Sequence, residues 1–438
     1  MLIVDNIDEI LKFRREFHKC AEVGWLEFET TIKIIEYLNE WNIKTIYGKK
    51  VHSFRMGLPT EAQKEKHKKC VIKRNPQLNH KKYKEIFEGY TGVIGVLDTK
   101  RQGNNTILRF DIDANNVVET DEEKHIPNKE DFASYNYGMM HACGHDAHIA
   151  IGLMVAKEIS KLKNELTGKI YFIFQPAEEG VRGASSIIDS EIGEEIFKKA
   201  DYFISSHIGF SGKDNEIVCC TEGFLGTTKL DIEFYGKASH AGACPENGRN
   251  ALLGASNCIL GLYSLTQFSG GISRINVGTL MAGTARNVVP SIAILEIETR
   301  SDEEEINIAL VNRVKDIVKG SANMYGLDYK IKKQGMTSAY KIGNRKFGYE
   351  IYNCLSNLNL SLIKVSNFGA SEDATSMMRK VEENGGQAIY MIIGTNRADE
   401  HHNEHFDINE KNLINGFNVY MSILKKLNNP VESTNIRG

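Results

Sequence analysis

Residues 137–150 read YGMMHACGHDAHIA, and everything else in the chain can be placed relative to this stretch. Between His141 and His148 it offers His141, Cys143, His145, Asp146 and His148. A thiolate, imidazoles and a carboxylate are the donors that a borderline-soft divalent ion such as zinc prefers. Gly138 and Gly144 allow the backbone to turn tightly enough to aim several of them inward. The apolar run behind it, residues 149–156 (IAIGLMVA), reads as a buried helix. The ligand-rich turn is therefore expected where a loop enters that helix. A lone Cys-x-His pair is more often part of a histidine-bearing surface loop; the density of donors is what argues for metal.

Short apolar segments flank this turn. Residues 91–97 (TGVIGVL), 106–112 (TILRFDI), 168–174 (GKIYFIF) and 201–208 (DYFISSHI) read as strands. Their alternation with helical stretches argues for an α/β layered domain. Upstream, an apolar stripe near the 3.6 period predicts helix from Ile7 to about Trp41, broken at Ala21–Gly24. Residues 42–90 are basic, polar and poorly periodic, with KEKHKK at 64–69. They read as an exposed insertion whose lysines form a solvated face, with attraction of an anionic substrate as the alternative.

Near Gly223 the texture changes. Residues 228–235 (TKLDIEFY) alternate polar and apolar, as a half-buried antiparallel strand does. An apolar helix (250–265), two strands (273–280 and 291–299) and a charged helix (303–322) follow. This β-α-β-β-α-β order describes helices packed on an antiparallel sheet. After Gly335 the strand–helix alternation resumes. The expected organisation is a larger domain from residues 1–221 and 336–438, with residues 222–335 inserted into it.

At 438 residues the chain is too long for one simple core, which suits two domains. A net charge of −3 gives no electrostatic case for nucleic acid or for an anionic membrane surface. No apolar run approaches the roughly 20 residues needed to span a bilayer. The first ten residues, MLIVDNIDEI, turn acidic at once and lack the basic start of a secretory signal. Eight cysteines are scattered, with Cys219 and Cys220 adjacent, which is no disulfide framework and suits a reducing cytoplasm.

Four further stretches carry donors where a core strand would meet a loop. Asp111 and Asp113 close one strand, and in an α/β sheet the carboxyl ends of strands are where ligands gather. Glu178 and Glu179 follow the strand at 168–174. Beside a metal such adjacent acids divide the work: one binds the ion, and the other stays free to take a proton from the attacking water. His207 ends a third strand, and His401, His402 and His405 crowd a fourth stretch. Together these donors suffice for a two-metal hydrolytic centre, whose ions sit roughly 3.5–4 Å apart and need one bridging ligand. Cys143 or an aspartate can bridge. In the inserted segment, His240 lies in a Gly/Ala-rich turn and can donate to a developing oxyanion. Arg286 offers a bidentate fork for a carboxylate. Read alone, each of these last two is as easily a turn residue closing the sheet.

The motifs MHACGHDAH (140–148), FQPAEEG (174–180), HIG (207–209), SHAGACPENGRNAL (239–252) and RNVVP (286–290), in this order, resemble those of the metal-dependent aminoacylase/carboxypeptidase-G superfamily. They fit best its branch of amidohydrolases acting on N-acyl amino acids. GWLEF (24–28), RMGLP (55–59), SEDATSMM (371–378) and HHNEHFD (401–407) extend the likeness over nearly the whole chain. The resemblance implies a zinc-peptidase-like α/β/α catalytic domain with an inserted α+β, ferredoxin-like dimerisation or lid domain. It implies two divalent ions, zinc or manganese, bridged by Cys143, with His145 and His207 on one ion and Glu179 and His402 on the other. Glu178 would be the general base and Asp113 the residue that orients a ligand, while Asp111 stands where other branches carry a metal histidine. His240 would polarise the scissile carbonyl from a neighbouring protomer, and Arg286 and Asn287 would grip a substrate carboxylate. Residues 114–117 (ANNV) depart from the ALP that follows Asp113 in most relatives. The implied substrate is an N-acyl or aroyl amino acid, p-aminobenzoyl-glutamate foremost, cleaved in a homodimer or in a heterodimer with a homologous chain. The alternatives are a broad N-acyl-amino-acid hydrolase or dipeptidase, and a non-catalytic partner of a related hydrolase.

Overall fold

A computed structural model describes residues 7–265 and 268–429. The reading of a missing signal segment rests partly on residues 1–6, which lie outside the described residues. At the centre is an eight-stranded sheet. In spatial order its strands are Lys44–Tyr47, Val93–Asp98, Lys169–Gln175, Asn105–Asp111, Tyr202–Ile208, Gln387–Ile393, Glu216–Val218 and Ser361–Ile363. The four middle strands, from Lys169–Gln175 to Gln387–Ile393, run parallel.

The composition of these strands follows from burial on both faces. In Lys169–Gln175, Ile170, Phe172 and Phe174 enter one core while Tyr171 and Ile173 enter the other. Gln387–Ile393 divides the same way, with Ile389, Met391 and Ile393 on one face and Ala388, Tyr390 and Ile392 on the other. Successive strand side chains point to opposite faces, so a strand covered on both sides has no polar alternation to show. Helices Ile7–Lys19, Phe28–Glu40, His145–Lys161 and Leu413–Asn428 cover the first face. Gly183–Ile188, Glu191–Lys199 and Ala374–Glu383 cover the second. The α/β layering expected from the sequence is the architecture found.

The His145–Lys161 helix is buried without a break from His145 to Ala156. Gly144 precedes it with φ +83°, a left-handed turn that glycine enters freely and that swings Cys143 and His145 to one side. Arg14, from the first helix, ties this helix to the C-terminal loop. Its Nε donates to Asp146 Oδ2 at 2.9 Å, and its terminal nitrogens meet Asp407 at 2.5 Å and Glu410 at 3.1 Å. Replacing one partner of a buried ion cluster strands the others. Arg14→Met should therefore cost about 3–5 kcal/mol in urea unfolding. A loss under about 1 kcal/mol would mean that the acids are not held by Arg14.

The basic stretch at 42–90 is less exposed than its composition suggests. It contributes an edge strand and the helix Glu61–Arg74, started by Thr60 and Gln63 in a reciprocal capping box. Val71, Leu78, Tyr83, Ile86 and Phe87 are buried in the main core, and His67 Nε2 meets Glu22 Oε1 at 2.7 Å. The lysines Lys66, Lys69 and Lys73 are exposed, as expected. The apolar anchors fall at irregular spacing, since short 3-10 turns separate them, and so escape a periodicity argument.

Residues 226–337 form a separate four-stranded antiparallel sheet in the order Asp328–Thr337, Gly226–Tyr235, Ile292–Ser301, Ser273–Ala282. Helices Ala251–Leu262 and Glu304–Met324 pack on one of its faces, against Leu230, Ile232 and Phe234. This is the ferredoxin-like arrangement. The strand Asp328–Thr337 is strapped to the central fold: Met336 N–H donates to the Val181 carbonyl at 2.9 Å. Among the described residues, no helix is long and apolar enough to cross a membrane.

Candidate metal centre

The parallel strands deliver their carboxyl ends to one edge of the sheet, where the crevice of an α/β fold takes its ligand. Each end supplies part of the site. The loop after Gln175 carries Glu178 and Glu179, the segment after Asp111 carries Asp113, His207 is the penultimate residue of Tyr202–Ile208, and the loop beyond Ile393 brings back His401 and His402. The ligand atoms of Cys143, His145 and His207 lie within 4.8 Å of one another, and so do those of Cys143, Glu179 and His402. Cys143 belongs to both groups.

Hydrogen bonds fix which ring nitrogens face the site. His145 Nδ1 is 2.8 Å from the Asp113 carbonyl oxygen, and His207 Nδ1 is 2.7 Å from the Ile208 carbonyl. A carbonyl only accepts, so both Nδ1 atoms carry hydrogen and both Nε2 lone pairs point inward. His207 Nε2 lies 3.5 Å from Cys143 Sγ. His145 Nε2 and Glu179 Oε1 are buried without a hydrogen-bond partner. Glu179 Oε1 does stand 3.3 Å from His402 Nε2, an ionic contact without hydrogen-bonding geometry. Buried polar atoms are ordinarily paired. Convergent, unpaired thiol, imidazole and carboxylate donors fit a divalent cation.

The acidic loop is held by carboxylates from outside it. Asp113 accepts the backbone N–H groups of Glu178 and Glu179, both at 2.9 Å. Glu27 accepts that of Ala177 at 2.8 Å. Three successive amides are thus fixed. Ala177 and Val181, at φ +54° and +57°, carry left-handed backbone that non-glycine residues rarely adopt, as does His402 at +66°. Burial, then the neighbouring Glu372 and Glu179, push the Glu178 carboxyl well above its ordinary range. Glu179 is opposed by burial, yet His402 and His145 bring it down to about 2.

Of the five donors in the opening stretch, only Cys143 and His145 join the two groups that share Cys143. Asp146 is committed to Arg14 and His18. His148 Nδ1 hydrogen-bonds to Asp111, and its Nε2 accepts the Ile208 N–H at 2.9 Å. Asp111 is further held by Arg109 at 2.7 Å. His141 packs 6.3 Å from the His18 ring.

A family model described as Peptidase family M20/M25/M40 matches residues 107–426. The chain belongs to that family. It is a metal-dependent hydrolase of amide bonds. This M20 hydrolase is 41% identical over 432 residues to a p-aminobenzoyl-glutamate hydrolase homolog of Haemophilus influenzae, covering 96% of this chain and 99% of the relative. It is 39% identical over 406 residues to an indole-3-acetyl-aspartic acid hydrolase-like length of chain in Escherichia coli, a p-aminobenzoyl-glutamate hydrolase component, covering 92% of each. Over 409 residues it is 39% identical to the indole-3-acetyl-aspartic acid hydrolase of Enterobacter agglomerans, again covering 92% of each. Its fold is similar to that of the crystal structure of aminobenzoyl-glutamate utilization protein from Klebsiella pneumoniae, at TM-score 0.80 and 32% identity, covering 96% of this chain and 95% of the other.

The M20 site opens into a cavity of about 210 Å³. Beyond the donors, its walls include Phe210, Phe368 and Glu372, with Thr227, Lys229 and Arg300 from the inserted sheet. Glu372 was not singled out from the sequence, where an acidic pair before a helix reads as an N-terminal cap. It accepts from Tyr390 Oη at 2.6 Å and pairs with Arg109 at 3.0 Å. His401, also left unassigned, stacks on Phe210 and places Nδ1 3.5 Å from Cys143 Sγ. His240, Arg286 and Asn287 come together elsewhere: the Ala241 N–H donates to the Asn287 carbonyl, and His240 Nδ1 accepts from the Gly242 and Ala243 amides. All three are exposed, and none lines the cavity of its own chain.

Proposed function

We propose that this M20 hydrolase cleaves the amide bond of an N-aroyl amino acid, p-aminobenzoyl-glutamate foremost, to p-aminobenzoate and glutamate. The convergence of Cys143, His145, Glu179, His207 and His402, with Glu178 among them, is the observation that carries this reading. The relatives named for p-aminobenzoyl-glutamate and indole-3-acetyl-aspartic acid favour an aromatic acyl group on an acidic amino acid. Phe210 and Phe368, whose ring centroids are 4.5 Å apart, supply an aromatic wall for the former.

In this assignment Cys143 bridges two ions, zinc or manganese; His145 and His207 hold one, and Glu179 and His402 the other. The bound ions supply Lewis acidity, polarising the scissile carbonyl and acidifying water. Glu178 takes the proton from the attacking water as its oxygen bonds to the carbonyl carbon. It then returns that proton to the amide nitrogen as the C–N bond breaks. Asp113 keeps Glu178 and Glu179 in register through their amides, and its carbonyl orients His145.

We take residues 1–221 with 336–438 as the catalytic unit and 222–335 as the unit that meets a second protomer. From that protomer, whether copy or homologue, His240 donates to the carbonyl oxygen, while Arg286 and Asn287 hold the α-carboxylate. The exposure of these three residues outside their own cavity supports this placement. The eight free cysteines suit a reducing cytoplasm.

The deciding experiment compares hydrolysis of p-aminobenzoyl-glutamate, hippurate, acetylated amino acids and dipeptides after reconstitution with zinc or manganese. A kcat/KM highest on p-aminobenzoyl-glutamate is expected; a preference for dipeptides would replace the assignment. If the chain self-associates, mixing inactive His240→Ala with inactive Glu178→Gln should restore measurable activity, because one site of each mixed dimer is intact. No recovery, with mixed dimers demonstrated, would place His240 outside the reaction.

A further inference from the structure

Lys229 sits on the strand Gly226–Tyr235, whose residues alternate in burial from Lys229 onward. Leu230, Ile232 and Phe234 pack beneath the helices of the inserted sheet, so Lys229 projects from the opposite face. The other charged side chains on that face are already paired. Arg300 makes a bidentate contact with Glu298, at 2.9 and 3.0 Å. Glu233 holds Lys332, and Asp231 accepts from Gln334. Lys229 is half-buried and makes no ion pair or side-chain hydrogen bond with any described residue.

Its place over the metal cleft is fixed by backbone packing. Gly335 lies opposite Lys229 in the adjoining strand. A Cβ on Gly335 would stand 2.0 Å from the Gly180 carbonyl oxygen, so only glycine permits this approach. The strand carrying Lys229 is thereby laid against the Glu178–Gly180 loop, and Lys229 lines the same cavity as Cys143, Glu178 and His402. A half-buried ammonium without a counter-charge is costly unless an anion arrives to pair with it.

We infer that Lys229 is a specificity-determining residue that pairs with the side-chain carboxylate of an acidic amino-acid moiety, glutamate or aspartate, in the substrate. This rests on the amidohydrolase reading above. A dicarboxylic amino acid brings two carboxylates, and that reading gives only the α-carboxylate a partner, in Arg286 and Asn287. Lys229 supplies the second cation, while Arg300, neutralised by Glu298, does not.

The test measures kcat/KM of the metal-loaded enzyme on p-aminobenzoyl-glutamate and p-aminobenzoyl-glutamine, which differ in one charge. The wild type should favour the glutamate compound, and Lys229→Met should lower that ratio by about ten- to a hundredfold, as expected for a charge-assisted contact. Independently of any variant, glutamate should inhibit the wild type more strongly than glutamine. A wild-type preference that survives Lys229→Met, or equal inhibition by the two amino acids, overturns the role of Lys229 and leaves the hydrolase reading standing. A wild type that cleaves both amides equally well overturns the acidic-substrate reading itself.

Discussion

Glu178→Gln should keep its full complement of bound metal and lose kcat by about 10²- to 10⁴-fold, the range of a positioned acid–base group. The amide has the shape of the carboxylate and leaves the Glu178 backbone N–H on Asp113 untouched. It cannot accept the proton of the attacking water. The substitution also removes one of the acids crowded at this point, where ligand-type atoms of Glu178, Glu372 and Asp373 lie within 4.8 Å of one another. Thermal stability should therefore stay level or rise. Metal content by elemental analysis, Tm and kcat together make the test. A variant with full metal and a kcat within a few-fold of wild type would remove Glu178 from the chemistry.

Cys143→Ala should lose both metal and turnover, because this thiol is the donor that belongs to both ligand groups. Metal bound only by the folded state stabilises it by RT ln(1 + [L]/Kd), about 4 kcal/mol at a thousandfold excess over Kd. Chelation should lower the Tm of the wild type by a matching amount and change that of Cys143→Ala far less. Cys143→Asp, whose carboxylate can also bridge, should recover part of the metal-dependent rise in Tm. Wild-type metal content and kcat in Cys143→Ala would show that the ions, if held here, are held by other groups.

Both effects turn on distant segments meeting at one sheet edge, and the sequence made much of that legible. Strands covered on both faces, such as Lys169–Gln175, announce themselves as unbroken apolar runs, and each donor-bearing loop follows such a run. The alternation in Gly226–Tyr235 marked an antiparallel sheet of a different kind. The stretch at 42–90 was harder to read, since its buried anchors, from Val71 to Phe87, keep no period. Composition there records the solvated lysines and misses the packed side.

What residue order determined by itself was the inventory: which donors exist, that they cluster at strand ends, and that an antiparallel sheet interrupts an α/β chain. Donor type and hydrophobic period are local properties, and local properties survive in a one-dimensional string. Only the tertiary structure decided the allocation. His148 and Asp146 have the right chemistry and the right neighbourhood, yet Asp111, Arg14 and His18 engage them. Lys229 and Glu372 carry no motif that marks them, yet packing turns them into the same cavity. A side chain's partners depend on which remote groups arrive beside it, and hydrogen bonding is satisfied in space, not along the chain.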